Sequence, residues 1–156
     1  MMTLNKITCA FALAIIAGGQ SVAQQLTLQT DYLEVCQWNG KASKFEECNA
    51  YPIEGIFEFN AQQTQVRHLT GEATATYSIR ETKYEAENDL YEYQVVNANG
   101  IRFILIRDGR NNLIKILAKT PGSKKSYVLL SHHIAHQMET GPGDPVVPVS
   151  RTLFRQ

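Results

Sequence analysis

The residues whose types could do chemistry are few, and the sharpest group is made of histidines. Three of the chain's four imidazoles fall within five positions, in Ser131-His132-His133-Ile134-Ala135-His136. Neutral imidazole suits zinc, copper or nickel. His132 and His136 share a face in a helix, where i and i+4 are neighbours, and also in a strand, where both have even parity. In a strand they stand roughly 13 Å apart and cannot chelate together. A zinc or copper site therefore needs a helical turn, a bend at Ala135, or a remote ligand. The set this defines is His132 and His136, with His133 or His68 as the third ligand. The competing reading is a polar strand end at a barrel rim carrying solvated imidazoles. No His-Glu-x-x-His pattern is present, and the nearest carboxylate downstream is Glu139.

Cys9, Cys36 and Cys48 are the only cysteines. The spacing of Cys36 and Cys48 fits neither a zinc knuckle nor a C-x-x-C redox pair. A disulfide between them closes a loop of about 13 residues, worth roughly 3 kcal/mol in the chain-entropy description. The carboxylates form no recognisable catalytic pair. Glu54 and Glu58, four residues apart on a strand, are separated by roughly 13 Å, beyond the reach of either glycosidase geometry. Ser131 and His132 are strand neighbours and so face opposite ways, and no Gly-x-Ser-x-Gly elbow exists. Phosphate-binding and dinucleotide fingerprints are absent. Glu85, Glu87 and Asp89 lack the spacing of a calcium loop. The expectation is a protein that is not an enzyme.

The elements that must position these residues begin after an export signal. Lys6 precedes the apolar run Ile7–Ala17, the pair Gly18-Gly19 follows, and Ser21-Val22-Ala23 offers a cleavage site. The run is shorter than the roughly 20 residues a membrane-spanning helix needs. Cleavage after Ala23 removes Lys6 and Cys9, leaving two cysteines, an even number suited to an oxidising compartment. Localisation is expected to be periplasmic or extracellular, in a bacterium. The chain has 156 residues, 44% hydrophobic and 19% charged, with fifteen basic and fifteen acidic side chains. That balance excludes a strongly basic nucleic-acid binder and a polybasic membrane anchor.

After residue 52 the sequence reads as seven short strands separated by turns. They are Ile53–Asn60, Thr64–Thr70, Thr74–Glu81, Tyr91–Asn97, Ile101–Asp108, Leu113–Lys119 and Ser126–Ser131. Turn signals such as Gly71-Glu72, Ala98-Asn99-Gly100 and Pro121-Gly122 lie between them, and a charged loop is expected at Thr82–Asp89. Ala75, Tyr77 and Ile79 alternate with polar neighbours, as do Tyr91, Tyr93 and Val95, so one sheet face is covered and one is wet. Ile101–Asp108 and Leu113–Ala118 are apolar on both faces, which predicts cover on both sides. The fold class is mainly β: an antiparallel meander closing into a small barrel or half-barrel of seven to nine strands.

In Gln24–Pro52, strand Tyr32–Trp38 is followed by two competing signals. A tight Asn39-Gly40 hairpin would set Cys36 opposite Ser43, far from Cys48. Ser43-Lys44-Phe45-Glu46 instead offers a capping box, predicting one short N-terminal helix over Lys44–Asn49. The domain scheme is a signal peptide at 1–23, one β-domain at 24–138 and an extended tail at 139–156, with Val146–Val149 as a further edge segment. Aromatic residues on the strands (Trp38, Phe57, Phe59, Tyr77, Tyr91, Tyr93, Phe103, Tyr127) either fill the core or line a ligand cup. The functional expectation is an exported, non-catalytic β-domain. It binds a small apolar molecule inside or an envelope protein outside, with the alternatives of an envelope inhibitor or assembly factor and a histidine-rich metal binder.

Overall fold

Short connections convert the alternating pattern into one continuous antiparallel sheet. The computed structural model describes residues 24–119 and 127–141; the expected export signal and the expected Val146–Val149 edge segment lie outside the described residues. Nine strands follow in order: β1 (Gln25–Asn39), β2 (Lys44–Tyr51), β3 (Gly55–Phe59), β4 (Gln65–Thr70), β5 (Ala73–Glu85), β6 (Leu90–Asn97), β7 (Arg102–Asp108), β8 (Leu113–Lys119) and β9 (Tyr127–Thr140). Seven of them lie after residue 52, as the turn spacing implies. Each is paired with the next from β3 to β9, and β1 pairs with both β3 and β9. The sheet thereby closes into an eight-stranded barrel, which removes the open edges a meander would otherwise expose. β2 is the ninth strand and lies outside the ring, held by the far half of β1.

Side-chain chemistry makes several of the turns. Asn60 Oδ1 accepts from the amides of Thr64 and Gln65, closing β3 onto β4. Asn97 Oδ1 accepts from the amides of Asn99 and Ile101 in the same way, with Gly100 at φ 78°. An Asn side chain standing in for a backbone acceptor, and a glycine where φ must be positive, are the expected turn devices. The charged loop after β5 is shorter than the sequence implies. β5 runs on to Glu85 because Tyr84 pairs with Tyr91 and stacks near it, with ring centres 4.3 Å apart.

The short helix expected at Lys44–Asn49 is not what these residues form; they are β2. The hairpin turn is four residues, with Asn39 paired to Lys44, so the register differs from that of a tight Asn39-Gly40 turn. Asn39 Oδ1 accepts from the amides of Lys41 and Ala42, and its Nδ2 donates to Glu46 Oε2 at 2.6 Å. Glu46 is therefore bonded across the hairpin and does not cap a helix. An irregularity between Val35 and Gln37, where Glu47 adopts φ 52°, brings Cys48 opposite Cys36, and the two form the expected disulfide.

The inward face is made by alternate residues along each strand. Leu28, Phe57, Phe59, Val66, Tyr93 and Ile114 are almost wholly buried there. Burying one such side chain stabilises by roughly 1.5–3 kcal/mol, so this group is the main source of fold stability. Phe59 meets Tyr93 across the interior, with ring centres 5.2 Å apart. Outward Ile104, Ile106 and Leu117 are only half-buried, so the described residues do not cover this second face fully.

Candidate functional site in the barrel interior

Register, not sequence proximity, brings the polar residues of the interior together. On β1, Thr30 is paired with Gly55 of β3, which is paired with Thr70 of β4. One step along, Leu28, Phe57 and His68 stand side by side. From the other wall, β9 presents His132, flanked by Leu33 of β1 and Ile114 of β8. The imidazole of His132 meets both partners edge-on, with ring centres 5.1 Å from Phe57 and 5.0 Å from His68. His68 itself stacks flat on Phe57 at 4.0 Å.

This nest is polar yet short of partners. His68 Nε2 is 2.8 Å from Thr70 Oγ1 and is satisfied there. Among the described residues, neither ring nitrogen of His132 nor the hydroxyl of Thr30, all buried, has a hydrogen-bond partner. His132 is 2% exposed. Burial pushes its pKa down to about 4, and the neighbouring His68 adds to the effect. Burial likewise lowers His68 to about 4. At neutral pH the pair is uncharged, and each ring offers one donor and one acceptor. Leaving such atoms unpartnered costs about 1–3 kcal/mol per group, so natural interiors rarely do it without a ligand or water in attendance. A glycine lets these groups approach one another closely at the same place. A Cβ on Gly55 would lie 2.9 Å from Thr30 Oγ1, 3.3 Å from the Leu69 carbonyl oxygen and 3.5 Å from His68 Nε2.

A second inward polar group lies along the row from His132. Ile114 is paired with Arg107 of β7, and Arg107 with Tyr91 of β6. The guanidinium rests over the Tyr91 ring at 4.3 Å from its centre, and its buried Nε meets no acceptor among the described residues. Tyr93, the neighbour of Tyr91 on the same face, has its pKa pushed up to about 12 by burial, with Arg107 opposing the rise.

The four histidines do not assemble as one ligand set. His68 and His132 meet inside, whereas His133 and His136 are exposed. Two irregularities in the β1–β9 ladder separate them. Gln29 is paired with His136 but Thr30 with Ile134, so Ala135 is an extra residue that reverses parity and turns His136 outward. Asp31 is the extra residue on β1, and its Oδ1 accepts from His133 Nδ1 at 2.9 Å on the outer surface. Among the described residues, the three potential metal-ligating side chains that come within reach of one ion are Glu34, Cys36 and Cys48. The two sulfurs there are joined to each other and are not thiolates, so that trio does not fit a metal.

The remaining chemistry-bearing residues are surface structure. Glu58 pairs with Arg67 at 3.3 Å across β3 and β4. Ser131 and His132 take opposite faces, as their adjacency requires. Glu85 accepts from Asn88, and the Glu87 carbonyl accepts from Arg110, which ties the β6 entry loop to the β8 entry loop. Asp108 is buried on the outer face; burial works against its charge, but bonds from Asn111 and Lys115 hold its pKa below the ordinary value.

Two of the interior residues were open to sequence reasoning through parity alone. His68 shares its strand face with Val66, and Arg107 shares its face with Phe103 and Leu105; a cation or imidazole on the apolar face of an alternating strand is the signal. Thr30 carries no such mark, because β1 reads as a strand only beyond it. No family model matches this chain, and no curated protein or solved structure matches it either.

Proposed function

We propose that this chain is an exported, non-catalytic barrel that binds a small molecule in its interior. The observation that carries the reading is His132: a buried imidazole whose two nitrogens lack partners among the described residues, as does the buried hydroxyl of Thr30 on the same inward face. A ligand offering both a donor and an acceptor would satisfy that nest, while the aromatic and aliphatic walls would take its apolar body. Export rests on the apolar leader and its small-residue cleavage site, and is consistent with the Cys36–Cys48 disulfide. Native mass spectrometry of the chain purified from the cells that export it tests this. A non-covalent small-molecule adduct is expected, and its loss from a Thr30→Val, His132→Leu variant that still folds. A bare protein mass, unchanged after incubation with an extract of those cells, would overturn the reading.

A second reading is supported by one specific feature outside the ring. Among the described residues β2 ends the sheet, and no described strand lies along its outer edge. Its hairpin bears an open cleft of about 380 Å³ bordered by Trp38, Gly40, Lys41 and Glu47. An envelope protein partner could add a strand there. Cross-linking from a photoreactive residue at Glu47 to one defined partner in intact cells is the expected result under that reading; uniform background labelling overturns it.

A further inference from the structure

The two ends of the Cys36–Cys48 bond stand in unlike surroundings. Cys36 is 4% exposed, whereas Cys48 is an exposed residue of β2. Cys36 lies between two strands, with Leu129 of β9 as its ladder partner on the side away from β2. Cys48 lies on the last strand of the sheet, and among the described residues no strand borders it on the far side. A thiolate attacks a disulfide sulfur in line with the bond, from the side opposite the sulfur that leaves. Because the bond bridges β1 and β2, that line runs past Cys48 to the open edge, and past Cys36 over β9. Attack on Cys48 is open; attack on Cys36 is shielded.

The sulfur that would leave has a proton-transfer group beside it. Glu34, two residues before Cys36 on the same strand face, holds its Oε1 3.1 Å from Cys36 Sγ. A thiolate and a carboxylate at that separation repel, so when the bond breaks the pair keeps one proton between them. The ladder sets uncharged Ala50 of β2 and Ser131 of β9 beside Glu34. The titratable groups around them are engaged elsewhere: Lys115 with Asp108, Glu46 with Lys44 and Asn39, and His133, next to Tyr32, with Asp31. Among the described residues, Glu34 is the carboxylate that comes within reach of both sulfurs.

We propose that Cys36–Cys48 is an exchanging disulfide that accepts two electrons from substrate thiols, with Cys48 as the attacked sulfur and Glu34 as the proton donor to Cys36. A substrate thiolate attacks Cys48 Sγ; the new S–S bond forms there, the Cys36–Cys48 bond breaks, and Cys36 leaves with its electron pair and takes a proton through Glu34. A second substrate thiolate then attacks the substrate sulfur of the mixed disulfide and releases Cys48, which is protonated by solvent. Two thiols lose two protons and two electrons and become one disulfide; the protein's disulfide gains them and becomes two thiols. The exchange takes place outside the ring, and the small-molecule reading of the interior neither supports it nor depends on it.

The test treats the oxidised mature chain with glutathione and, separately, with a short cysteine-containing peptide. Brief exposure at pH 7 is followed by acid quenching, alkylation and peptide mapping by mass spectrometry. The expected result is a mixed disulfide on Cys48 and the alkyl label on Cys36, at a rate at least about tenfold above that of the same bond in the chain unfolded in urea. A mixed disulfide on Cys36, or a native bond that reacts no faster than the unfolded one, overturns the proposal. A faster reaction with the peptide than with glutathione supports a polypeptide thiol as the substrate, and the reverse supports a small thiol. Glu34→Gln, its sheet checked by circular dichroism, supplies the pH arm. As pH rises the attacking thiolate becomes more abundant and a proton donor less so; the two trends offset, and the parent's rate should be nearly level from pH 6 to 8. In Glu34→Gln only the first trend remains, and the rate should climb about tenfold per pH unit. Equal climbs in parent and variant overturn the role given to Glu34.

Discussion

At the scale of single residues, the interior is decided by which polar atoms are left without partners. His132 takes up a proton near pH 6.5 in an unfolded chain but only near pH 4 in the barrel. Between those values the unfolded state binds more protons, so stability is full above pH 6.5, falls as pH drops toward 4, and levels off below. His68 acts in the same direction. The loss attributable to His132 is up to about 3 kcal/mol. Urea midpoints at pH 7.5, 5.5 and 4.5 should therefore fall more steeply in the parent than in His132→Leu; equal slopes would show that the imidazole is not what titrates. Thr30→Val is the companion test. Removing an orphaned hydroxyl while keeping its shape should raise the stability of ligand-free protein by about 1 kcal/mol and weaken ligand binding. A loss of stability instead would mean the hydroxyl has a structural partner. Little of this nest was legible beforehand. The His132–His136 spacing was visible and its even parity correct for an unbroken strand, but the extra residue at Ala135 reverses it, and no side chain there announces a bulge.

At the scale of elements, the β1–β2 hairpin is where local signals conflict. Asn39-Gly40 marks a turn and Ser43 to Glu46 a capping box, and the chain follows neither fully. The turn spans Gly40 to Ser43, and Ser43 takes φ 53° while Glu46 receives Asn39 Nδ2. Helical propensity over Lys44–Asn49 is overridden because pairing with β1 satisfies a whole ladder of backbone groups, while a one-turn helix satisfies few. Trp38 and Phe45 then meet across the hairpin, ring centres 5.1 Å apart. Outside the ring, β2 depends on this contact, the ladder and the disulfide. A Cys36→Ala, Cys48→Ala variant should lose up to about 3 kcal/mol, the loss falling first on β2. Hydrogen exchange should show protection lost over Lys44–Tyr51 and retained over β3 to β8. If the whole ladder loses protection together, the hairpin is part of the barrel's cooperative unit and not an attachment to it.

At the scale of the whole molecule, closure depends on β1 meeting β9, strands at opposite ends of the described chain. The seven later strands and their antiparallel order were readable because each pairs with its sequence neighbour across a short turn. Closure was readable only as a way to remove two open edges, because no local pattern encodes a pairing between residues near 28 and residues near 137. β1 does it by length: Gln25 to Gln37 lie against β9, and the strand's other edge meets β3 and then β2 in succession. Leu28 sits at that seam, wholly buried, paired with Phe57 on one side and Gln137 on the other. Cutting it to alanine leaves a cavity where the ring is joined, at a cost of about 3 kcal/mol within the 2–5 kcal/mol range for buried leucines. Because a closed barrel has no free edge from which to fray, the loss should be global. Urea unfolding of Leu28→Ala should show a lower midpoint with an unchanged slope, and hydrogen exchange should fall by a common factor in β1, β3, β6 and β8. Exchange that accelerates in β1 and β3 while β6 to β8 stay protected would show a sheet that opens at the seam, and the interior site would then have a door between β1 and β9.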